Sequence, residues 1–317
     1  MLQQNIKNKI SLMLDSGAFS AWTKKINIDL DKYIAFCLEY NSYIDYVVNL
    51  DVIPGEWGQK ALPSAEIERS ASKGWANYQY MLSKGIPKDK LIHIFHQGED
   101  FKWLEKMVAV IPYIGLSPAN DRSTSEKQQW LDDCMKYVCD DKGYPKVKWH
   151  GFAVTSLRLM FRYPWYSVDS TSWVMTSRMG GVYVPQYKSG KWIYDENSWK
   201  ISVSTKSPNK SEEGKHIDTL SKIQREHIFT YFAEKGYILG KSEFRFESEK
   251  YKLKKDEKWG GKAASGKREV EIIIEAGLCN DYKMRDELNI IYYLDLESHM
   301  PKWPWAFRAK GVERFEL

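Results

Sequence analysis

Residues 91–116 read LIHIFHQGEDFKWLEKMVAVIPYIGL. Leu91–His96 is a short run rich in β-branched and aromatic residues, and Gln97-Gly98 punctuates it. Asp100–Val110 then carries its apolar residues at helical spacing, and Tyr113–Leu116 is a second short β-rich run. Strand, turn, amphipathic helix, strand is the repeating unit of a parallel sheet covered by helices. The same alternation extends outward, with candidate strands at Ile10–Asp15, Tyr46–Asp51, Ala76–Tyr80, Lys148–Val154 and Tyr166–Asp169. Candidate helices lie at Leu30–Tyr40, Pro63–Lys73, Ser125–Cys139 and Ser156–Phe161. Seven strands in regular alternation predict an α/β chain folded as a (β/α)8 TIM barrel, with a doubly wound sheet as the alternative. Residues 1–180 are thus expected to supply barrel units 1–7 and the active site.

The pattern changes after Gly180. Residues 181–268 mix short strands rich in Tyr and Trp (Gly181–Tyr187, Lys191–Tyr194, Trp199–Val203) with a Ser/Lys/Asn-rich loop at Ser204–Lys215. A helix near Ile217–Lys235 and a charged run at Glu247–Arg268 follow, and the whole reads as a mixed α+β insertion. Residues 269–317, with a strand at Glu269–Glu275 and a helix at Tyr282–Glu297, are expected to close the barrel.

Composition sets limits on function. The chain has 317 residues, 43% of them hydrophobic, enough for a large core. No apolar run approaches the length of a membrane span, and Met1–Asn5 lacks the features of a secretory leader, so a cytoplasmic location is expected. Four scattered cysteines, Cys37, Cys134, Cys139 and Cys279, fit a reducing compartment and ordinary thiols. No Cys or His spacing suggests a metal site, and no cofactor is expected. The formal charge of +5 permits a polyanionic partner.

Four candidate strands end in a polar residue followed by a turn: Asp15-Ser16-Gly17, Asp51 before Pro54, His96-Gln97-Gly98 and Asp169-Ser170-Thr171. In a barrel these ends converge on one mouth, where three carboxylates need a cation, a donor or chemical work to justify their company. Capping and turn bracing are the structural alternatives for each aspartate taken singly.

In order along the chain these pieces resemble the tRNA-guanine transglycosylase superfamily. Asp15-Ser16-Gly17-Ala18-Phe19 is similar to the family's Asp-Ser-Gly-Gly-aromatic turn, Leu50-Asp51 to its purine-reading strand end, and Phe95-His96-Gln97-Gly98 to its Val-Gln-Gly segment. Ile114-Gly115-Leu116 resembles its Gly-Gly-Leu strand, and Val168-Asp169 stands where the family has its nucleophile. The zinc motif Cys-x-Cys-x-x-Cys of the tRNA enzymes is missing, Ala18 replaces a glycine, and Ser170 replaces a cysteine. The stretches His150–Thr155 and Tyr163–Trp173 look closer to the virus-encoded DNA branch, whose enzymes put 7-deazaguanine derivatives into DNA and so protect a phage genome from restriction.

The resemblance implies a base-exchange transglycosylase with DNA and a preQ0-like 7-deazaguanine base as its two substrates. It implies Asp169 as nucleophile and Asp15 as general acid/base. Asp51 and Gln97 would read the purine edge, Ser16, Gly98, Gly115 and Leu116 would shape its slot, and Phe19 would stack on its face. Retention through a covalent sugar intermediate needs two carboxylates with opposite protonation demands, which should draw their pKa values apart. A tRNA substrate is the nearest alternative. A metal-dependent barrel hydrolase using Asp15, Asp51 and Asp169 is the alternative enzyme, and a nucleic-acid-binding protein on a decayed barrel the non-enzymatic one. Arg158 and Arg162 on one helix face, and Lys262, Lys267 and Arg268 near Trp259, are candidate contacts to phosphates. Gly261–Lys267 fits most of a P-loop, yet Arg268 stands where Ser or Thr is required. His93 and His96 read as strand packing rather than ligands.

Overall fold

A computed structural model describes residues 10–55, 62–154, 156–207 and 211–308. The Met1–Asn5 leader reading, Thr155 and residues 208–210 of the expected polar loop lie outside them. The chain divides into two compact units, Met1–Asp169 with Lys302–Leu317, and Ser170–Pro301.

The first unit is built on one parallel sheet whose strands follow chain order: β1 (Met13–Leu14), β2 (Tyr46–Val48), β3 (Leu91–His96), β4 (Tyr113–Ser117), β5 (Lys148–Gly151) and β6 (Ser167–Val168). Between them run α1 (Ala18–Lys24), α2 (Leu30–Glu39), α3 (Ser64–Ser83), α4 (Phe101–Val110), α5 (Thr124–Val138) and α6 (Leu157–Arg162). Helix starts are fixed by side chains: Asp29 and Asp100 accept from backbone N–H groups at the starts of α2 and α4, and Ser123 with Glu126 forms a reciprocal capping box on α5.

Register sorts the two faces of the sheet. Ile94, Gly115, His150 and Ser167 lie side by side across β3 to β6, and Phe95, Leu116, Gly151 and Val168 form the next row. Because successive residues of a strand point to opposite faces, the two rows face opposite ways. Phe95 packs on Phe101 of α4 and Trp130 of α5, so its row faces the helices. Ile94, Gly115, His150 and Ser167 therefore face the side away from those helices.

Six strands stand where eight were expected, which is a mixed α/β architecture with a partial barrel-like sheet rather than a complete barrel. Ala76–Tyr80 is not a strand. It lies inside the 20-residue α3, where Trp75, Tyr78 and Met81 are buried at helical spacing. Nor does Glu269–Glu275 close the sheet, as the second unit shows.

That unit opens with α7 (Ser172–Arg178) and β7 (Gly181–Val184), continues through the β8 (Gln186–Lys188) and β9 (Lys191–Ile193) hairpin, and pairs β10 (Trp199–Ser202) antiparallel to β7. After α8 (Lys222–Glu234) come β11 (Lys241–Ser248), β12 (Glu257–Ala264) and β13 (Lys267–Glu275), an antiparallel sheet with β13 in the middle. With β11 on one edge and β12 on the other, the expected closing strand has both ladders filled. Helix α9 (Tyr282–His299) belongs to this unit as well. Its Leu288 joins a core of Val182, Val184, Ile201, Ile228 and Phe232, and its buried Asn289 accepts from the Tyr183 N–H and donates to the Trp173 carbonyl. The different region thus begins at Ser170 and runs to Pro301, wider than the expected insertion on both sides. All four cysteines are buried free thiols, and no helix among the described residues is long and apolar enough to cross a membrane.

Candidate active site

The parallel sheet brings its predicted polar strand ends to one edge. Asp15 follows β1 and leads into a turn made by Ser16 and Gly17. Gly17 has φ +74°, a left-handed conformation that a side chain disfavours, and the buried Ser16 Oγ accepts from the Ala18 N–H at 3.3 Å. Asp15 is accessible at its surface yet crowded. Partial desolvation raises its carboxyl above the usual range, and the charges of Asp51 and then Asp169 add to the rise, against opposing hydrogen bonds from the Ser16 and Gly17 backbone.

Asp169 has the opposite character. Burial works against its charge, but His150 and the Ala153 N–H overcome that and hold the carboxyl below its ordinary value. His150 Nε2 lies 3.2 Å and Ala153 N 3.0 Å from the same oxygen, Oδ1. Behind Asp169, His150 Nδ1 meets Ser167 Oγ at 2.6 Å, and Ser167 Oγ meets the Tyr113 hydroxyl at 2.5 Å.

The third carboxylate, Asp51, is 8% exposed and ends its loop on His96, with Oδ2 2.8 Å from Nε2. The other His96 nitrogen meets Glu99 Oε1 at 3.0 Å. Burial opposes the imidazolium, yet hydrogen bonds to the two carboxylates win and push the His96 pKa up to about 10. His96 is therefore a half-buried cation between two buried acids, not the packing residue expected from sequence. His93, three residues earlier on the opposite face, is the packing residue. Burial drives its pKa down to about 3, and its Nδ1 lies 2.9 Å from Asn49 Nδ2.

The residues expected to shape a base slot divide. Gln97 Oε1 accepts from the Ala119 N–H at 3.0 Å, so its carbonyl braces the β4 loop and only its amide N–H groups remain for a ligand. Gly98 meets nothing where a Cβ would stand; its φ of +113° makes it a turn residue instead of a slot wall. Gly115 does give up its Cβ to a neighbour, but that neighbour is the Phe152 ring, which fills the space in front of it and packs edge-on against His150 at 4.4 Å. Leu116 faces the helix layer, fully buried, so its side chain cannot line the mouth. Phe19 is 45% exposed on α1, 5.9 Å from the Trp22 ring.

The candidate phosphate contacts also divide. Arg158 is exposed. Arg162 is bound through Nε and Nη2 to both Asp132 oxygens at 2.9 and 2.7 Å and packs over Tyr163 and Phe307, which makes it a structural ion pair. Lys262, Lys267 and Arg268 are exposed on the β12–β13 hairpin of the second unit, where the Arg268 guanidinium sits over Trp259 at 5.3 Å. The P-loop-like stretch is that hairpin: Ser265 and Gly266 form a two-residue turn with φ of +44° and +75°.

His96, Glu99, His150 and Phe152 are the site residues that sequence reasoning missed. A signal existed for His150, because alternation from Lys148 through His150 carries one face of β5 to the same edge as Asp169. A cavity of about 540 Å³ lined by Tyr46, Tyr113, Lys148 and Trp303 opens at the opposite, N-terminal ends of the strands, away from these carboxylates. Among the described residues no three His, Cys, Asp or Glu side chains are grouped to hold a metal ion. Neither a scan against protein-family models nor a search of curated proteins finds a match for this chain.

Proposed function

We propose that this chain is a base-exchange glycosyltransferase that replaces guanine in DNA with a 7-deazaguanine derivative. The observation that carries the reading is the divergence of two carboxyl groups at one sheet edge, Asp15 held toward its protonated form and Asp169 toward its anion. Retaining glycosyl transfer asks for that pair: an anion to attack the anomeric carbon and an acid to protonate the leaving base. Asp169 takes the sugar as an ester while Asp15 protonates guanine. The incoming base then displaces Asp169 and returns its proton to Asp15, so each group ends as it began.

Asp51, locked onto the His96 cation, presents a fixed acceptor beside Asp15 and suits the donor edge of a guanine-like base. The amide N–H groups of Gln97 supply donors next to it. A base in a duplex would have to leave its stack to reach this edge. DNA rather than tRNA is favoured by the missing cysteine motif and by the resemblance of His150–Thr155 and Tyr163–Trp173 to the viral branch. Such a partial-barrel scaffold presents its strand ends as a barrel enzyme does. The hydrolase alternative would gather Asp15, Asp51 and Asp169 about one ion, whereas Asp51 is turned to His96.

Purified wild type and Asp169→Ala protein, incubated with DNA, tRNA and a preQ0-like base, are compared by nucleoside mass spectrometry of each polymer. Incorporation into DNA that falls by about 10³-fold or more in the variant is the expected result. Incorporation into tRNA alone would transfer the reading to the tRNA branch. Incorporation that survives Asp169→Ala would remove the nucleophile and with it the mechanism.

A further inference from the structure

We propose that His150 is the positioning residue of Asp169: a one-way hydrogen-bond chain from Tyr113 through Ser167 fixes its Nε2–H on Asp169 Oδ1 and leaves Oδ2 as the attacking oxygen. The nucleophilic half of this statement rests on the base-exchange reading; the hydrogen-bond half does not.

The direction of the chain follows from what each atom is able to do. A carboxylate only accepts, so the His150 nitrogen 3.2 Å from Asp169 carries a proton. With the ring singly protonated at Nε2, Nδ1 is an acceptor and the hydroxyl 2.6 Å from it donates. Ser167, its one proton spent on Nδ1, accepts in turn from the Tyr113 hydroxyl. His150 is 3% exposed and Tyr113 2%, and Ser167 between them is half-buried, so the two ends of the chain are shielded by the sheet. A histidine tautomer is set by the partner of its second nitrogen, and here that partner is itself oriented by a third group.

At the far end, His150 Nε2–H and the Ala153 N–H converge on Oδ1. The His150 and Ala153 donors both fall on Oδ1, and the Asp169 side chain is 59% exposed. Oδ1 therefore carries the donors that hold the carboxylate in place, and Oδ2 keeps its lone pairs for the sugar. In the transfer step the Oδ2–C1′ bond forms as the C1′–N9 bond breaks. The bonding pair leaves with the base, which takes its proton from Asp15, and the His150 proton stays on Nε2. The titratable groups acting at this position are His150 and, across the sheet edge, Asp15, which senses the Asp169 charge.

The test reads His150 and Asp169 directly. Nitrogen-15 shifts of His150 report the tautomer, and a carbon-13 titration of labelled Asp169 reports its carboxyl in the full chain without ligand. Wild type is expected to show the Nε2–H form, and Ser167→Ala a mixture of both forms. In His150→Ala the Asp169 titration is expected to rise, and in His150→Gln, whose amide N–H reaches a similar point, to return toward wild type. In the transfer assay His150→Ala is expected to lose at least about tenfold in kcat with little change in KM. An Nδ1–H tautomer in wild type, or an Asp169 titration unmoved in a folded His150→Ala protein, overturns the assignment. Transfer by wild type with an unmoved titration would leave base exchange standing without this role for His150. A titration that moves as expected with no transfer by wild type upholds the hold on Asp169 and removes base exchange.

Discussion

Two histidine–aspartate pairs stand on neighbouring parts of one sheet edge and behave oppositely. His96 lies between two buried carboxylates, Asp51 and Glu99, and is a cation with a pKa near 10. His150 lies between one exposed carboxylate and one neutral hydroxyl. The contrast teaches that the second neighbour of an imidazole, more than the first, determines what it does to its aspartate. A second acid makes the ring a counter-ion that fixes Asp51 in place, whereas beside a hydroxyl the ring serves as a hydrogen-bond donor to an exposed Asp169.

The sharpest break of this comparison is deletion of each ring. His96→Ala would leave Asp51 and Glu99, each with a side chain only 6% exposed, buried without their cation. Stripping one partner from a buried ion pair costs about 3–5 kcal/mol, so chemical denaturation should register a loss of that order. His150→Ala abandons a carboxylate that is already 59% exposed and should cost much less in stability while costing more in transfer. Equal losses of stability in the two variants would dissolve the distinction.

The second difference is in pH dependence. The folded His96 pKa of about 10 exceeds the ordinary 6.5, so its contribution to stability is complete below about pH 6.5 and is lost as pH rises through 10. Wild-type stability should decline across that window, and His96→Gln should flatten the decline. His93 has the reverse sign. With its pKa lowered to about 3, its contribution is present above 6.5 and is lost on acidification. A wild-type stability that is level from pH 7 to 10 would contradict the His96 cation held between Asp51 and Glu99.

Asp51 links the two pairs through Asp15. Its charge is the largest electrostatic contribution to the raised Asp15 pKa, after desolvation. Asp51→Asn should therefore lower that pKa, and the alkaline limb of the transfer rate, where Asp15 loses its proton, should move to lower pH. The position of the limb is the readout, because weaker base binding alone lowers the rate without moving it.

These pairs also mark how far the sequence could be read. Asp15, Asp51, Asp169 and the edge they share were legible, since short β-rich runs ending in a polar residue before a turn carry a local signal. Their partners were not. His96 meets Asp51 from 45 residues away and His150 meets Asp169 from 19, and no local pattern encodes those separations. The same limit explains the fold. The β propensity of Glu269–Glu275 was legible, but a strand does not announce which sheet will hold it, and β11 and β12 claim both of its edges. Ala76–Tyr80 failed for another reason: Asn77 and Gln79 alternating with Tyr78 and Tyr80 imitate a strand within a helix whose buried face runs through Trp75, Tyr78 and Met81. Arg162 looked available because Asp132, 30 residues earlier, gives no sign in sequence that it will take both guanidinium donors.

The smallest expected effect tests the packing that separates the two pairs. Gly115 lies in register between Ile94 and His150, and its missing Cβ is the space taken by the Phe152 ring, which in turn walls one side of His150. A methyl group at this position meets that ring and the Ile94 side chain in a close-packed interior, a form of overpacking that costs about 1–3 kcal/mol. Gly115→Ala should show that loss in thermal or chemical denaturation. Phe152→Leu in the same chain should recover part of it by clearing the space. Because the displaced ring rests on His150 and not on His96, the single variant should disturb the Asp169 titration while leaving the alkaline stability profile of His96 in place. Were the two to shift together, the pairs would be one coupled network rather than two independent devices on a common edge.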